Sequence, residues 1–314
     1  MINSTFVSSV TEKVQAKLGD GYVIKVQCMI KNNAAKHQCM IIRAKGSGSG
    51  PSIDLDSYRI SAEEGRLTEE QAACQIVETY HRYELPKIFD SFRFLTREKI
   101  LEHAVYRLVN REKNSQLLEK VPHADMLNLT LLCYCTIYDE IMGHGAVMIS
   151  NSILDDFHIS KEELFEYADR NTPKLFPPEC ISLMDLIQEM EKGSPLPGNG
   201  DILQRDSGSS PEFDAQSEIQ KILVLTNKQR IYGAYYMAVP QVIGLIAKVV
   251  EKNLYILPSS VHECLIIPDS SEENASDLRD MVCQVNRTKV LPEEVLSDEI
   301  YYYDREQDMM KIAA

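Results

Sequence analysis

Leu254-Tyr-Ile-Leu-Pro-Ser-Ser-Val-His-Glu-Cys-Leu-Ile-Ile267 holds two short apolar runs, Leu254–Leu257 and Cys264–Ile267, flanking Pro258-Ser259-Ser260. Apolar runs of this length with turn residues between them read as a β-hairpin. Upstream, Val239, Val242, Ile243, Ile246, Val249 and Val250 define one face of a helix. Downstream, Leu278, Met281, Val282 and Val285 recur at i, i+3, i+4 and i+7. A hairpin between helices also occurs near the N-terminus. Tyr22, Ile24, Val26, Cys28 and Ile30 alternate with a more polar set, Asn32-Asn33 turns the chain, and His37–Lys45 returns. A helix then opens at Thr68 with Gln71 three residues on, a capping box, and it buries Ala73, Ile76, Val77 and Tyr80. Hairpins separated by helices predict an α+β fold with largely antiparallel sheets and amphipathic helices packed on them, in two lobes, rather than a doubly wound parallel sheet.

Between these two regions, Ile100, Leu101, Ala104, Val105, Leu108 and Val109 fall on one stripe, with Arg97, Glu98, Glu102 and Arg107 elsewhere, which predicts a helix. Leu127–Tyr138 is apolar on both faces and reads as a central strand. Ser160 with Glu163 opens a helix predicted to end at Pro173, and Leu183–Glu191 makes another. Residues 192–216 include 11 Gly, Pro or Ser among 25, and predict a flexible linker or insertion between an N-terminal lobe, 1–191, and a C-terminal lobe, 217–314. Ile222–Leu225 reads as a buried strand, and Glu299–Asp304 as a closing strand at a sheet edge.

At 314 residues, 44% hydrophobic and 25% charged, the chain has the composition of an ordinary globular protein. Its formal charge of -14 disfavours phosphate backbones, so nucleic acid is an unlikely partner. Met1–Val10 lacks the basic and apolar regions of a secretory signal, and the most apolar window, Val239–Ala247, is broken by Pro240, Gln241 and Gly244. The expectation is a cytoplasmic protein with no membrane contact. The eight cysteines mostly lie in apolar runs and read as buried thiols. Cys133-Thr-Cys135 has no companion pair at zinc-ligand spacing, so no metal site is expected.

Two segments concentrate polar chemistry. Asn227, Lys228 and Arg230 follow a buried strand, where two cations could hold a carboxylate or phosphate. Ser260, His262 and Glu263, with Ser259, place hydroxyl, imidazole and carboxylate within five positions. On an extended segment Glu263 points away from Ser260 and His262, and no nucleophile elbow occurs, so these read as turn residues rather than a triad. Gly46–Gly50 lacks phosphate-loop spacing. No cofactor is implied and no catalytic residue is assigned. The remaining histidines are scattered. Tyr301-Tyr302-Tyr303 lies in a stretch, Asp269–Asp308, with 12 acids against 4 bases, which suits a solvated face better than base stacking.

Several longer segments resemble a family: Leu225-Thr-Asn-Lys-Gln-Arg230 followed by Gly233-Ala234, Leu254 through Glu263, Leu291 through Asp304, Val121-Pro-His123, and Asn171 through Pro177. They are similar to a bacterial family known only as a domain of unknown function, 5688. The resemblance covers most of the chain and implies a soluble protein of Firmicutes-type bacteria, without an activity, cofactor or catalytic residue to carry over. The reading that follows is a non-enzymatic binding or regulatory protein, with a protein partner of unknown identity. Its rival is a hydrolase or nucleotide-handling enzyme in which Asn227, Lys228, Arg230, Ser260, His262 and Glu263 converge on one pocket.

Overall fold

The computed structural model describes residues 2–46, 50–82, 95–139, 143–191, 222–270 and 274–313. The chain divides into two units, Met1–Thr96 with Tyr138–Gly143, and Arg97–Ile137 with His144–Ala314. The first unit contains α1 (Ile2–Leu18), β1 (Tyr22–Ile30), β2 (Lys36–Ala44), β3 (Ser52–Asp54), α2 (Asp56–Glu63) and α3 (Glu69–Arg82). β1 and β2 form the predicted hairpin, with Tyr22 opposite Ala44 and Ile30 opposite Lys36, and β3 extends it. Its core sets Val10 and Val14 of α1 and Ala73, Ile76 and Tyr80 of α3 against Met40 and Ile42 of β2. The capping box forms at α3: Gln71 N donates to Thr68 Oγ1 (3.2 Å) and Thr68 N to Gln71 Oε1 (2.8 Å). Cys28, expected inside, is exposed, because its strand turns that end to solvent.

The second unit runs α4 (Arg97–Glu102), β4 (Ala104–Asn110), α5 (Ser115–Leu118), β5 (His123–Met126), β6 (Leu129–Asp139), β7 (Gly143–Met148), α6 (Asn151–Phe157), α7 (Lys161–Leu175), β8 (Pro178–Ser182) and α8 (Leu183–Glu191). It continues with β9 (Leu223–Asn227), a 3-10 turn (Gly233–Ala238), α9 (Pro240–Val250), β10 (Leu254–Pro258), β11 (Cys264–Pro268), α10 (Ala275–Thr288), β12 (Tyr301–Asp304) and β13 (Met309–Ile312). One sheet has the order β4-β6-β5 with β7 also on β6. The other has the order β13-β12-β10-β11-β9-β8. The protein is α+β with antiparallel sheets, as the hairpin reading predicted.

Four expectations are corrected. The stripe from Ile100 to Val109 is not one helix: α4 stops at Glu102 and Ala104–Asn110 is a strand. Six of its seven residues are buried, so apolar side chains occupy both faces and satisfy a helical spacing by default. Val105, Tyr106 and Val109 favour extended backbone. The helix opened by Ser160 runs two residues past Pro173, whose missing N–H falls in the final turn. The third correction concerns the lobes. β8 pairs with β9 from Pro178 opposite Asn227 to Ser182 opposite Leu223, so the residues on both sides of 192–216 share a sheet. A Gly, Pro and Ser-rich composition reports a local ordering cost, whereas this pairing is non-local and leaves no local sign. Residues 192–216 themselves, and 47–49 of the Gly-Ser stretch, lie outside the described residues. The three tyrosines of β12 are not on an edge strand, since β13 pairs outside them.

Within this unit α7 lies along the outer edge of β4. Thr172 Oγ1 accepts from Tyr106 N (3.0 Å) and donates to Ala168 O (2.7 Å). Asn171 Nδ2 donates to Leu101 O (2.7 Å) and Ala104 O (3.1 Å). The two sheets are tied by buried polar groups: Asn110 Nδ2 donates to Leu296 O (3.2 Å), Asn128 Nδ2 to Ser297 Oγ (3.2 Å) and Tyr301 OH to Asn128 Oδ1 (2.7 Å).

Candidate functional site

β9 ends in a tightly made loop. Asn227 is 2% exposed. Its Oδ1 accepts from Gln229 N (3.0 Å) and Ile231 N (3.3 Å), and its Nδ2 donates to Ile231 O (2.7 Å), so the side chain braces the loop from inside. Arg230 and Tyr232 both adopt left-handed backbone at φ 55°, an unusual conformation for residues with a Cβ. Gly233 follows by necessity. A Cβ there would lie 2.4 Å from Thr226 Oγ1 and 2.7 Å from Asn227 N. Lys228 is exposed. Arg230 turns back to Glu189 Oε2 (2.5 Å) and Glu179 Oε2 (3.5 Å).

The two segments singled out in the sequence do meet. Thr226 Oγ1 donates to His262 O (2.9 Å), and Tyr232 N donates to His262 Nδ1 (3.1 Å). Their reactive groups, however, are directed elsewhere. Ser260 Oγ accepts from the backbone N of His262 (3.0 Å). The imidazole faces Tyr232 N with one nitrogen and Glu294 Oε1 (3.5 Å) with the other. Burial pushes the Glu263 carboxyl above its ordinary range, and the nearby His262, Arg230 and Ser259 only partly offset this. Asn227 and Arg230 serve the loop and its ion pairs.

Three further residues, Arg107, Tyr134 and Tyr232, not among the site candidates of the sequence, complete this region. The Arg107 guanidinium of β4 lies over two rings, 3.6 Å from the Tyr232 centroid and 3.9 Å from that of Tyr134. The Tyr232 ring in turn packs on His262 at 5.0 Å. Four flat groups therefore follow one another: Tyr134, Arg107, Tyr232 and His262. Burial pushes the Tyr134 phenol up, opposed by the guanidinium charge, so it stays protonated at neutral pH. The 3-10 turn positions this stack, because Tyr235, three residues after Tyr232, stacks on Tyr106 at 5.5 Å and 21°. Assigning 104–109 to a helix separated Arg107 from Tyr134. Strand pairing, with Leu132 opposite Arg107 and Tyr134 opposite Val105, brings them together.

Two open hollows among the described residues lie elsewhere, against Asp280, Cys283 and Arg287 of α10 and against Thr11, Gln15 and Ile24 of the first unit. Neither is lined by any of the six expected residues. In the first unit His37, Asp54 and Asp56 gather within 4.8 Å, brought together by the pairing of β2 with β3. Lys31 Nζ and His37 Nδ1 each lie 2.7 Å from Asp54 Oδ2, so the carboxylate already faces an ammonium and an imidazole. Among the described residues the cations Arg97 and Arg230 have acidic partners. Arg97 pairs with Glu163 (2.6 Å), Arg230 pairs with two glutamates, and Arg93 lies outside the described residues.

The model of a family described as "Family of unknown function (DUF5688)" matches residues 3–305. The chain belongs to this family. Neither the curated proteins nor the solved structures yield a match. The segments Leu225–Arg230 and Leu254–Glu263, whose resemblance pointed to the family, are the ones that build the loop and the His262 turn. No helix among the described residues is long and apolar enough to cross a membrane.

Proposed function

We propose that this protein is a non-enzymatic binding or regulatory protein of the cytoplasm that recognises a partner or ligand through its second unit. The observation that carries this reading is the arrangement of Ser260, His262 and Glu263. The serine hydroxyl is bonded to main chain, the imidazole is held by Tyr232 N, and the carboxyl belongs to neither, so base and nucleophile are not aligned. The groups are spent on fixing a surface, the arrangement that recognition without turnover needs. Arg97 and Arg230 are paired with carboxylates, which disfavours their use on a phosphate backbone. Eight free thiols suit a reducing compartment. The test is a paired screen of the full chain against a mixed metabolite library, followed by mass spectrometry for conversion and by thermal shift for binding. Stabilisation by one or more compounds with no conversion is expected. Conversion of any compound that is abolished in Glu263→Gln or His262→Asn overturns the reading in favour of a hydrolase or nucleotide-handling enzyme.

A further inference from the structure

Arg107 places its guanidinium carbon over two phenol rings, is half-buried, and among the described residues has no carboxylate within ion-pair reach. This distinguishes it from Arg59, Arg97, Arg111, Arg230 and Arg279, each of which has an acidic partner. Stacking on an aromatic face uses the guanidinium's π surface and leaves its five in-plane N–H donors for other partners; one of them reaches the Tyr134 hydroxyl, and no carboxylate among the described residues takes the rest. Contact with two rings removes much of the side chain's rotational freedom before any ligand arrives, so little ordering entropy remains to be lost on binding. Tyr232 is itself fixed, by its left-handed backbone, its N–H bond to His262 and the Gly233 approach that excludes any side chain. The chain thus spends a strained backbone and two aromatic rings to hold one cation in one orientation.

We infer that the Arg107 stack is a binding site for a carboxylate group, engaged in plane by the guanidinium edge. A carboxylate fits better than a phosphate for two reasons. The fork of Arg donors matches a planar monoanion bidentately. And a single positive charge, in a chain of formal charge -14 and with Glu294 already taken by His262, has no second cation beside it to balance a dianion. The carboxylate can belong to a small organic acid or to the free end of a polypeptide. This inference rests on the recognition reading above but fails separately: turnover in the screen removes that reading and leaves the Arg107 site to be decided by titration.

The experiment follows the Arg107 Nε–Hε resonance of the full, nitrogen-15-labelled chain, assigned by its loss in Arg107→Lys, during titration with sodium acetate, sodium phosphate and sodium chloride at constant ionic strength. Acetate is expected to give a saturable shift, chloride none, and phosphate a midpoint at higher concentration than acetate. A tripeptide with a free C-terminus and its amide form the second arm. If the acid binds about tenfold or more tighter than acetate while the amide does not bind, the source is a chain end. Equal binding of the tripeptide acid and acetate assigns a small acid. Arg107→Lys has no Nε–Hε, so the variants are followed at the backbone amides of residues 231–233. Arg107→Lys, which keeps the charge but loses the fork, and Tyr232→Leu, which removes one ring, should each weaken acetate binding about tenfold, the scale of a charge-assisted hydrogen bond. No saturation by acetate or tripeptide in the wild type, phosphate saturating first, or unchanged affinity in Arg107→Lys each overturns the inference. The wild-type selectivity order decides the matter even if a variant fails to fold.

Discussion

At the scale of single residues, Glu263 shows how a group can sit beside two candidate partners and still be governed by burial. Its carboxyl is pushed above the ordinary range despite His262 and Arg230 nearby. A carboxyl whose folded value exceeds its unfolded value of about 4.3 binds its proton more tightly in the native state. Below the unfolded value this costs nothing, and as pH rises through the folded value the buried charge subtracts stability. Glu263→Gln keeps an acceptor for Ser259 and carries no charge, so it should raise Tm at pH 7 and leave it nearly unchanged at pH 4. Thermal melts of both proteins at the two pH values check this. A shift of equal size at both would point to packing instead. The burial that governs Glu263 is not legible in the sequence, where the residue reads as part of a turn and points away from Ser260 and His262. The loop around Asn227 was partly legible, since a polar run after a buried strand marks a strand end. That Asn227 faces inward and Arg230 turns toward glutamates of β8 and α8 depends on pairing across some forty residues, which no local pattern encodes.

At the scale of elements, α7 and β4 explain both a success and an error of sequence reading. The Ser160 cap was read correctly because a capping box is a local pattern: Glu163 N donates to Ser160 Oγ at 3.1 Å. β4 was misread because burial on both faces erased its period of two. An edge strand so buried needs its outward N–H groups satisfied, and Thr172 does this for Tyr106. Thr172→Val preserves shape and removes the acceptor, leaving a buried N–H unpaired. The expected cost is about 1–3 kcal/mol in denaturant unfolding, with faster hydrogen exchange at the Tyr106 amide. If stability is unchanged while exchange at Tyr106 stays slow, another acceptor serves the strand. The hairpins of β1–β2 and β10–β11 were legible because each is closed by its own turn, and the β8–β9 pair was not because its two strands are far apart in sequence.

At the scale of the whole molecule, that β8–β9 pair sets what happens when the intervening chain is cut. Besides five residue pairs, Lys228 N donates to Pro177 O (3.0 Å), Leu183 N to Ile222 O (2.9 Å) and Gln229 Nε2 to Leu175 O (2.9 Å). With a protease recognition sequence inserted between residues 200 and 210, the two cleavage products should co-elute on a sizing column in native buffer and separate in guanidinium. Products that part in native buffer would mean that the sheet is not holding them. The division into units at 96 and 97 was not visible in composition, because nothing there resembles the Gly, Pro and Ser-rich run that drew attention further along.

The cross-sheet bonds also impose a timetable. Asn110 reaches Leu296, 186 positions later, and Asn128 receives the hydroxyl of Tyr301, 173 positions later. At roughly 5–20 residues per second of synthesis, a ribosome needs on the order of ten to forty seconds to deliver those distant partners. Throughout that interval the newborn β4–β6 ribbon waits with its amide side chains unmated and its greasy flank uncovered, a window in which chaperones rather than sequence decide its fate.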